Sequence, residues 1–426
     1  MKFPAVLLFS GLLVVPGLRS ETVTITGFVT SAASRSDFEV NAISIRCGNQ
    51  TDTTSYAGKR SLIHGCPQKT PYLGEQVRIS GSFNKKNGDL AAEEIDFAEP
   101  AHGRVTGSAV IDALSVAKPT APAGPLMVRA DGYNILITSK ALIVWDAPLH
   151  SLGDVKAGDW IEYDGERRAD GTVVAEKVRL SPELIRQGEE KLRAKEDFDP
   201  STVPPSAKQS AVSRAFVGIN PKRFPPYNDP AMQARIDEIG EKLVPAFQRE
   251  LPATDPAKID FRFQLIDTKL FRDAMTLASG VILVPRQVVE RMQNDSQLAT
   301  VLADNIACAL ERQAYRSLPA ARTLTAGQIG ADAAGIFVPG AGLIAPALGI
   351  GGSKAIEARQ EKQSGRVSLS LLHDAGYDID QAPIAWWLLA SKQPKPISEI
   401  PLPERAANLY RVLGEVWNNP DASQSH

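Results

Sequence analysis

Apolar and polar positions alternate with a period of two in short runs between about residues 22 and 180, which is typical of short β-strands. The alternation repeats, because GEQVRISGSFNKKNGDLAAEEIDF, from Gly74, matches AGDWIEYDGERRADGTVVAEKVRL, from Ala157. The dipeptides NG and DG between the alternating runs are strong hairpin signals. We therefore predict two small all-β modules, residues 21–100 and 101–180, each a closed or partly open barrel. Glycines match in three pairs: Gly74 and Gly158, Gly81 and Gly165, Gly88 and Gly171.

The two repeats resemble the OB-like β-modules that occur singly or in tandem in exported bacterial proteins. Modules of this kind often bind oligomers through aromatic residues on their surface. Aromatic residues are few here, and the alternation places most of them in the cores. We therefore interpret both modules as spacers or docking units.

The periodicity changes beyond the second repeat. The stretch SPELIRQGEEKLRAKEDFD predicts a charged helix with Ser181 as its N-cap, and PSTVPPSAKQS predicts a linker, so a connecting segment occupies 181–210. Residues 211–415 are predicted to form a mainly α domain with some strand (α+β), followed by a tail at 416–426. Apolar residues in this domain recur at helical spacing, as at Met232, Ile236, Ile239 and Leu243.

The composition is that of an ordinary globular protein and narrows the function classes only a little. A chain of 426 residues is long enough for two or three domains, each with its own core. The formal net charge is -2 and the sequence pI is about 6.3, so no global basic field attracts nucleic acid. We therefore expect no nucleic-acid partner.

The first residues, MKFPAVLLFSGLLVVPGLRS, place Lys2 before an uncharged apolar run that ends at Leu18. The run is shorter than the ~20 residues of a membrane span. It predicts a signal peptide at 1–20, with an uncleaved anchor as the alternative, and therefore an exported protein, periplasmic or secreted. In an oxidising compartment Cys47 and Cys66 are expected to form a disulfide.

From about Tyr227 onward, four stretches follow one another in a recognisable order. They are YNDPAMQARIDEIGEKLVPAFQ, IDFRFQLIDTKLFRDAMTLASGVILVPRQVVERM, SQLATVLADNIACAL and RQEKQSGRVSLSLLHDAGYDIDQAP. In these stretches the chain resembles the gluzincin metallopeptidases of the CAAX prenyl protease type, especially their exported bacterial relatives. The resemblance implies a zincin-like fold for 211–415.

The resemblance also implies a zinc site on the helix that contains Asp304. Two histidines four residues apart should bind the ion there, but Asp304 and Cys308 occupy those positions. Asn305 stands at the position of the general base, and an amide does not titrate. Gln363 stands at the position of the third ligand, and Gly365 where an aspartate should orient a ligand.

We therefore expect no catalytic residue and no zinc cofactor. Asp304 and Asn305 would then only make the helix surface polar, Cys308 would be a small buried apolar residue, and Gln363 and Gly365 would face solvent. The alternative is a zinc metalloendopeptidase with a non-standard site built from Asp304, Cys308 and Gln363.

Two further segments bear on partners. In the family, the strand that corresponds to SGVILV is an edge strand that binds an extended substrate by strand addition. The peptide-binding residues expected from this resemblance are Ser279, Gly280, Val281, Ile282 and Leu283. The uncharged stretch 333–353 contains Pro339 and Pro346, so we expect a packed or lid-like hairpin, with membrane-surface contact as the alternative.

The leading hypothesis is an exported metallopeptidase homologue that has lost catalysis and binds a protein or peptide in the cell envelope. Two alternatives stay open. The first is the zinc metalloendopeptidase with the non-standard site. The second is an envelope protein whose β-modules bind glycan or protein.

Overall fold

The computed structural model describes residues 22–56, 60–99, 102–114, 125–182, 187–217, 219–317 and 351–419. The predicted signal peptide lies outside the described residues. The apolar stretch 333–353 does too, except for the helical backbone at 351–353. Among the described residues, no helix is both long and apolar enough to cross a bilayer.

The first β-module has seven strands: β1 (Thr22–Ser34), β2 (Asp37–Val40), β3 (Ile43–Arg46), β4 (Asp52–Tyr56), β5 (Arg60–His64), β6 (Gln76–Asn84) and β7 (Asp89–Phe97). Five of them close into a ring in the order β1-β2-β3-β7-β6, with β3 and β7 parallel. The β4–β5 hairpin pairs with the other half of β7. Cys47 and Cys66 are disulfide-bonded at the ends of β3 and β5.

The second β-module repeats this ring with β8 (Gly103–Leu114), β9 (Leu126–Ala130), β10 (Tyr133–Ile137), β11 (Leu142–Trp145), β12 (Trp160–Arg167) and β13 (Val173–Ser181). The closed order is β8-β9-β10-β13-β12, again with one parallel pair, β10–β13, and with β11 outside the ring on β13. The prediction of two small β-barrels is confirmed. Ser181, predicted as a helix N-cap, is instead the last residue of β13.

Gly81 and Gly165 occupy equivalent positions in the two barrels, and the structure shows why both are glycine. Each glycine lies opposite a β-bulge on the neighbouring strand, since Glu93 of β7 has no partner between Ser80 and Gly81, and Glu176 of β13 has none between Asp164 and Gly165. A Cβ at Gly81 would lie 2.1 Å from the carbonyl oxygen of Ala91, and one at Gly165 would lie 2.4 Å from that of Val174. No side chain fits at those distances, so the same backbone geometry requires glycine in both barrels.

A helical region follows the barrels, as predicted. Its small sheet has three strands, β14 (Arg262–Ile266), β15 (Met275–Thr276) and β16 (Val281–Pro285), and a π-helix spans Leu413–Trp417. The α-helices are α1 (Gln187–Glu196), α2 (Ala211–Val217), α3 (Pro230–Leu243), α4 (Ala246–Arg249), α5 (Arg286–Arg291), α6 (Asp295–Leu310), α7 (Gly351–Asp374), α8 (Ala382–Ala390) and α9 (Glu404–Val412).

Helix α6 is the centre of this region. Asn294 caps its first turn by accepting a hydrogen bond from the backbone NH of Gln297, and every residue from Gln297 to Leu310 is buried. Neighbours on all sides cover it: α3, α7, α8 and the three-stranded sheet. A helix that is buried on all sides is normally apolar all round, so the buried polar side chains on α6 need hydrogen-bond or charge partners in the interior.

Both barrels pack against the helical region. Phe28 of β1 and Val110 of β8 belong to the helical core, and Val416 of the π-helix belongs to the core of the second barrel. Residues 416–419, which were expected to begin a tail, are therefore packed, and 420–426 lie outside the described residues. Ion pairs also join the second barrel to the helices: Arg129–Asp374, Arg167–Glu415 and Arg366–Asp131.

Candidate functional site

The site predicted on α6 is buried. Asp304 and Asn305 are each 3% exposed and Cys308 is 6% exposed. The expectation that Asp304 and Asn305 only make a helix surface polar is therefore wrong, since α7 and the sheet cover that surface. Asp304 and Cys308 share one face of α6, and Ser364 of α7 lies beside both side chains.

Asp304 is bound by an arginine from the last helix. Nη2 of Arg405, in the first turn of α9, donates to Oδ2 of Asp304 at 2.5 Å, and Nη1 donates to Oδ2 of Asp273 at 2.7 Å. The guanidinium also lies against the indole ring of Trp386. We call Asp273, Asp304 and Arg405 the arginine cluster. Sequence analysis missed Arg405, because nothing in its local pattern links it to α6.

The carboxyl groups of the arginine cluster are costly to ionise. Burial raises the pKa of Asp273 to about 6, although Arg405 opposes this shift, while the charge of Asp304 adds to it. Burial likewise raises the pKa of Asp304, against the opposing effect of Arg405. Glu361 of α7 belongs to the same electrostatic environment, and burial raises its pKa too, while Arg405 again opposes the shift.

Cys308 behaves as a small apolar residue, as predicted. It is a free, buried thiol. Burial raises the pKa of the thiol well above its ordinary value, and the charge of Asp304 raises it further. Because the thiolate is the form that binds metals and attacks substrates, this shift disfavours both roles.

The side chains at the predicted ligand positions do not fit a zinc ion. Zinc sites need several ligands that converge, with imidazole or thiolate the usual donors. Here Asp304 is paired with a guanidinium, and burial raises the pKa of the Cys308 thiol, which disfavours the thiolate. No group of three or more His, Cys, Asp and Glu residues within the described part of the chain is placed to hold a metal. The positive charge beside Asp304 is instead supplied by Arg405.

Asn305, at the position of the general base, joins two elements. Its Nδ2 donates to the carbonyl oxygen of Val301 at 2.8 Å, and its Oδ1 accepts from Oγ1 of Thr276 at 2.6 Å. Oγ1 of Thr276 also lies 3.0 Å from the backbone oxygen of Asn305. These bonds fasten α6 to β15 and leave the amide without a proton-transfer role.

Gln363 does not converge with Asp304. Its Nε2 donates to the carbonyl oxygen of Ser108 at 3.0 Å and to Oε2 of Glu311 at 3.1 Å, and its Oε1 accepts from Arg316 at 3.2 Å. Gln363 is 7% exposed, so the expectation that it faces solvent is wrong, because the second barrel covers it. Gly365 is buried as well, beneath Leu409. Glu361, two positions before Gln363 on α7, interacts electrostatically with both Arg405 and Asp304.

The peptide-binding edge strand is a wrong prediction. β16 is the central strand of its sheet, with β14 parallel on one side and β15 antiparallel on the other. Ser279 and Gly280 lie in the turn before β16, and Val281, Ile282 and Leu283 are completely buried. The chain itself takes the edge that a peptide would use, since the NH of Leu277 donates to the carbonyl oxygen of Val281 at 2.9 Å.

The chain that connects the second barrel to the helical region also contacts the three-stranded sheet. The backbone NH of Ala278, just beyond β15, donates to Oε2 of Glu196 at 2.6 Å, and Oγ of Ser279 donates to the carbonyl oxygen of Glu196 at 3.3 Å. Arg262 of β14 donates to the carbonyl oxygen of Phe198 at 3.0 Å. These contacts hold the end of α1 and the residues after it against the sheet.

Comparison with known proteins gives two partial similarities. A family model described as "Domain of unknown function (DUF5666)" matches residues 26–96 and 126–179, one stretch in each barrel. The chain is also 27% identical over 207 residues to a protein of Vibrio cholerae named "Putative beta-barrel assembly-enhancing protease". That match covers 45% of this chain and 40% of the relative, so the chain spans less than half of the relative's length.

Proposed function

We propose that this protein is an exported, zincin-like peptidase homologue that does not hydrolyse peptides and acts by binding a protein in the cell envelope. The arginine cluster carries the first half of the proposal. A guanidinium paired with both Asp273 and Asp304 supplies the positive charge that a metal ion would otherwise supply. Asn305 cannot act as a base, so the site lacks both components of metal-assisted hydrolysis.

The binding half rests on similarity. The relative in Vibrio cholerae carries the name of a protease that enhances β-barrel assembly. An unfolded β-barrel polypeptide is therefore the partner class to test first. The two small barrels and the helical region form a continuous packed body, which offers a large surface for such a partner.

The test is retention of a urea-unfolded β-barrel polypeptide, diluted into buffer with added zinc, on the immobilised full chain. We expect retention, and we expect the bound polypeptide to stay full-length over time on a gel. Fragments that no longer form when a chelator is present would contradict the loss of catalysis. Equal recovery on a resin without the protein would contradict the binding role.

A further inference from the structure

A second concave site lies beside the arginine cluster. It is a cavity of about 260 Å³ between the second barrel, α7 and α9. Its wall contains five basic side chains, Arg167, Lys362, Arg366, Arg405 and Arg411. We call it the basic cavity. Among the described residues, the carboxylates that line it are those of Glu361 and Glu415.

Three of the five cations already have acidic partners. Arg167 is paired with Glu415 at 2.5 Å, Arg366 with Asp131 at 2.5 Å, and Arg405 with the two aspartates of the arginine cluster. These ion pairs hold the three guanidinium groups in the wall of the cavity. Each guanidinium carries five N–H groups, so the ion pairs use only some of its donors.

Lys362 and Arg411 are different. Both are exposed, and within the described residues neither has a carboxylate partner. Nη1 of Arg411 donates to the amide oxygen of Asn408 at 3.3 Å, and its guanidinium lies 5.8 Å from the centre of the Phe28 ring. The two cations therefore stand on opposite elements, α7 and α9, around one opening. A concave site with an excess of one sign of charge concentrates counter-ions, and five basic side chains outnumber two carboxylates here, so an anion is the ligand that this arrangement favours.

The remaining wall indicates what kind of anion fits. Tyr133 and Leu409 are buried apolar surfaces in the cavity, with Val105 and Val412 beside them. A ligand with an apolar stem and a planar charged end uses both kinds of surface. Arginine pairs most specifically with planar carboxylates, through parallel N–H bonds.

We propose that the basic cavity binds carboxylate groups, such as the acidic side chains of a partner polypeptide, with Lys362 and Arg411 as the cations that recognise them. This inference rests on the proposed binding function and names the chemistry of what is bound. A free small dicarboxylate offers the same chemistry, so the experiment includes it as a separate arm.

The experiment measures binding of a fluorescently labelled peptide of alternating glutamate and glycine to the full chain by anisotropy. The same peptide with glutamine in place of glutamate is the neutral probe. The test variant combines Lys362→Glu with Arg411→Glu. The control variant combines Lys85→Glu with Lys86→Glu, two exposed lysines in the β6–β7 turn, so both variants change the net charge equally.

We expect the glutamate peptide to bind the wild type at least about tenfold more tightly than the glutamine peptide, and to bind the test variant at least about tenfold more weakly, because charge-assisted hydrogen bonds are lost. The control variant should bind like the wild type. Competition by glutarate at concentrations near those of the peptide would identify a small organic acid as the ligand source. Its failure to compete would identify the polypeptide.

Equal affinity of the wild type and the test variant for the glutamate peptide would overturn the inference, as would equal affinity for the two peptides. A thermal melt verifies that the variants fold, and Lys362→Gln is the milder replacement if the double variant does not. If the wild type retains the unfolded β-barrel polypeptide but does not bind the acidic peptide, the site is wrong and the proposed function stands. If it binds neither, both are wrong.

Discussion

Replacing Arg405 by methionine should destabilise the folded helical region by about 3–5 kcal/mol at neutral pH, because removal of one partner from a buried ion pair leaves uncompensated charge. Asp273 and Asp304 would both stay in the interior, at 9% and 3% exposure, without a cation. Methionine keeps much of the volume of the arginine stem, so the loss reports on charge rather than on a cavity. Urea unfolding followed by tryptophan fluorescence measures it, since Trp386 contacts Arg405.

The matched control is Arg411→Met, on the same helix and exposed to solvent. Surface substitutions of this kind usually change stability by no more than about 0.5 kcal/mol. If Arg405→Met unfolds at the same urea concentration as Arg411→Met, the arginine cluster does not have the energetic role that we assign to it.

The effect of Arg405→Met should depend on pH. In the wild type the pKa of Asp273 is raised from 3.8 to about 6, so the folded state binds more protons than the unfolded state between these values. This group therefore lowers stability as pH rises from about 4 to 6. Loss of Arg405 raises the pKa of Asp273 and Asp304 further, since Arg405 opposes both shifts. The variant should consequently lose more stability at pH 8 than at pH 5.

Rebuilding a zinc site should succeed only if Arg405 is removed and Glu361 is kept. We expect the combination Asp304→His, Asn305→Glu, Cys308→His and Arg405→Leu to take up zinc, because two imidazoles on one face of α6 would then lie in the electrostatic environment of Glu361. Structural zinc sites in favourable cases bind with about 10 kcal/mol or more, so even a poor site should be detectable by calorimetry.

The matched combination keeps Arg405 and replaces Gln363→Glu together with the same three substitutions on α6. It should not take up zinc, because residue 363 points toward Ser108 and Glu311, and the guanidinium of Arg405 stays beside position 304. Zinc uptake by this second combination and not by the first would mean that the orientation of α7 is other than described.

Local patterns were sufficient to predict the two barrels. The period-two alternation, the hairpin turns and the paired glycines each occur within a short stretch of sequence. Gly81 and Gly165 both lie opposite a β-bulge where a Cβ would clash with backbone atoms. The helix α6 was predicted from the resemblance of SQLATVLADNIACAL to the family's active-site helix, and a helix spans Asp295–Leu310. Both predictions rest on residues that are close together in the sequence.

The chemistry of the site could not be predicted in the same way. Arg405 reaches Asp304 across 101 residues and Asp273 across 132 residues, and no periodicity spans such distances. β15 has only two residues, too few for an alternating pattern, and the prediction that β16 is an edge strand rested on the resemblance alone. Gln363 and Glu361 are two positions apart on one helix, and only the packing of α7 determines which of them approaches α6.

The zinc content of the purified wild-type chain tests the central claim most directly. After incubation with zinc and desalting, we expect far less than one ion per chain, and we expect Asp304→Ala and Cys308→Ala to leave that content unchanged, because Arg405 already supplies the charge that pairs with Asp304. Stoichiometric zinc in the wild type that is lost in either variant would contradict the account.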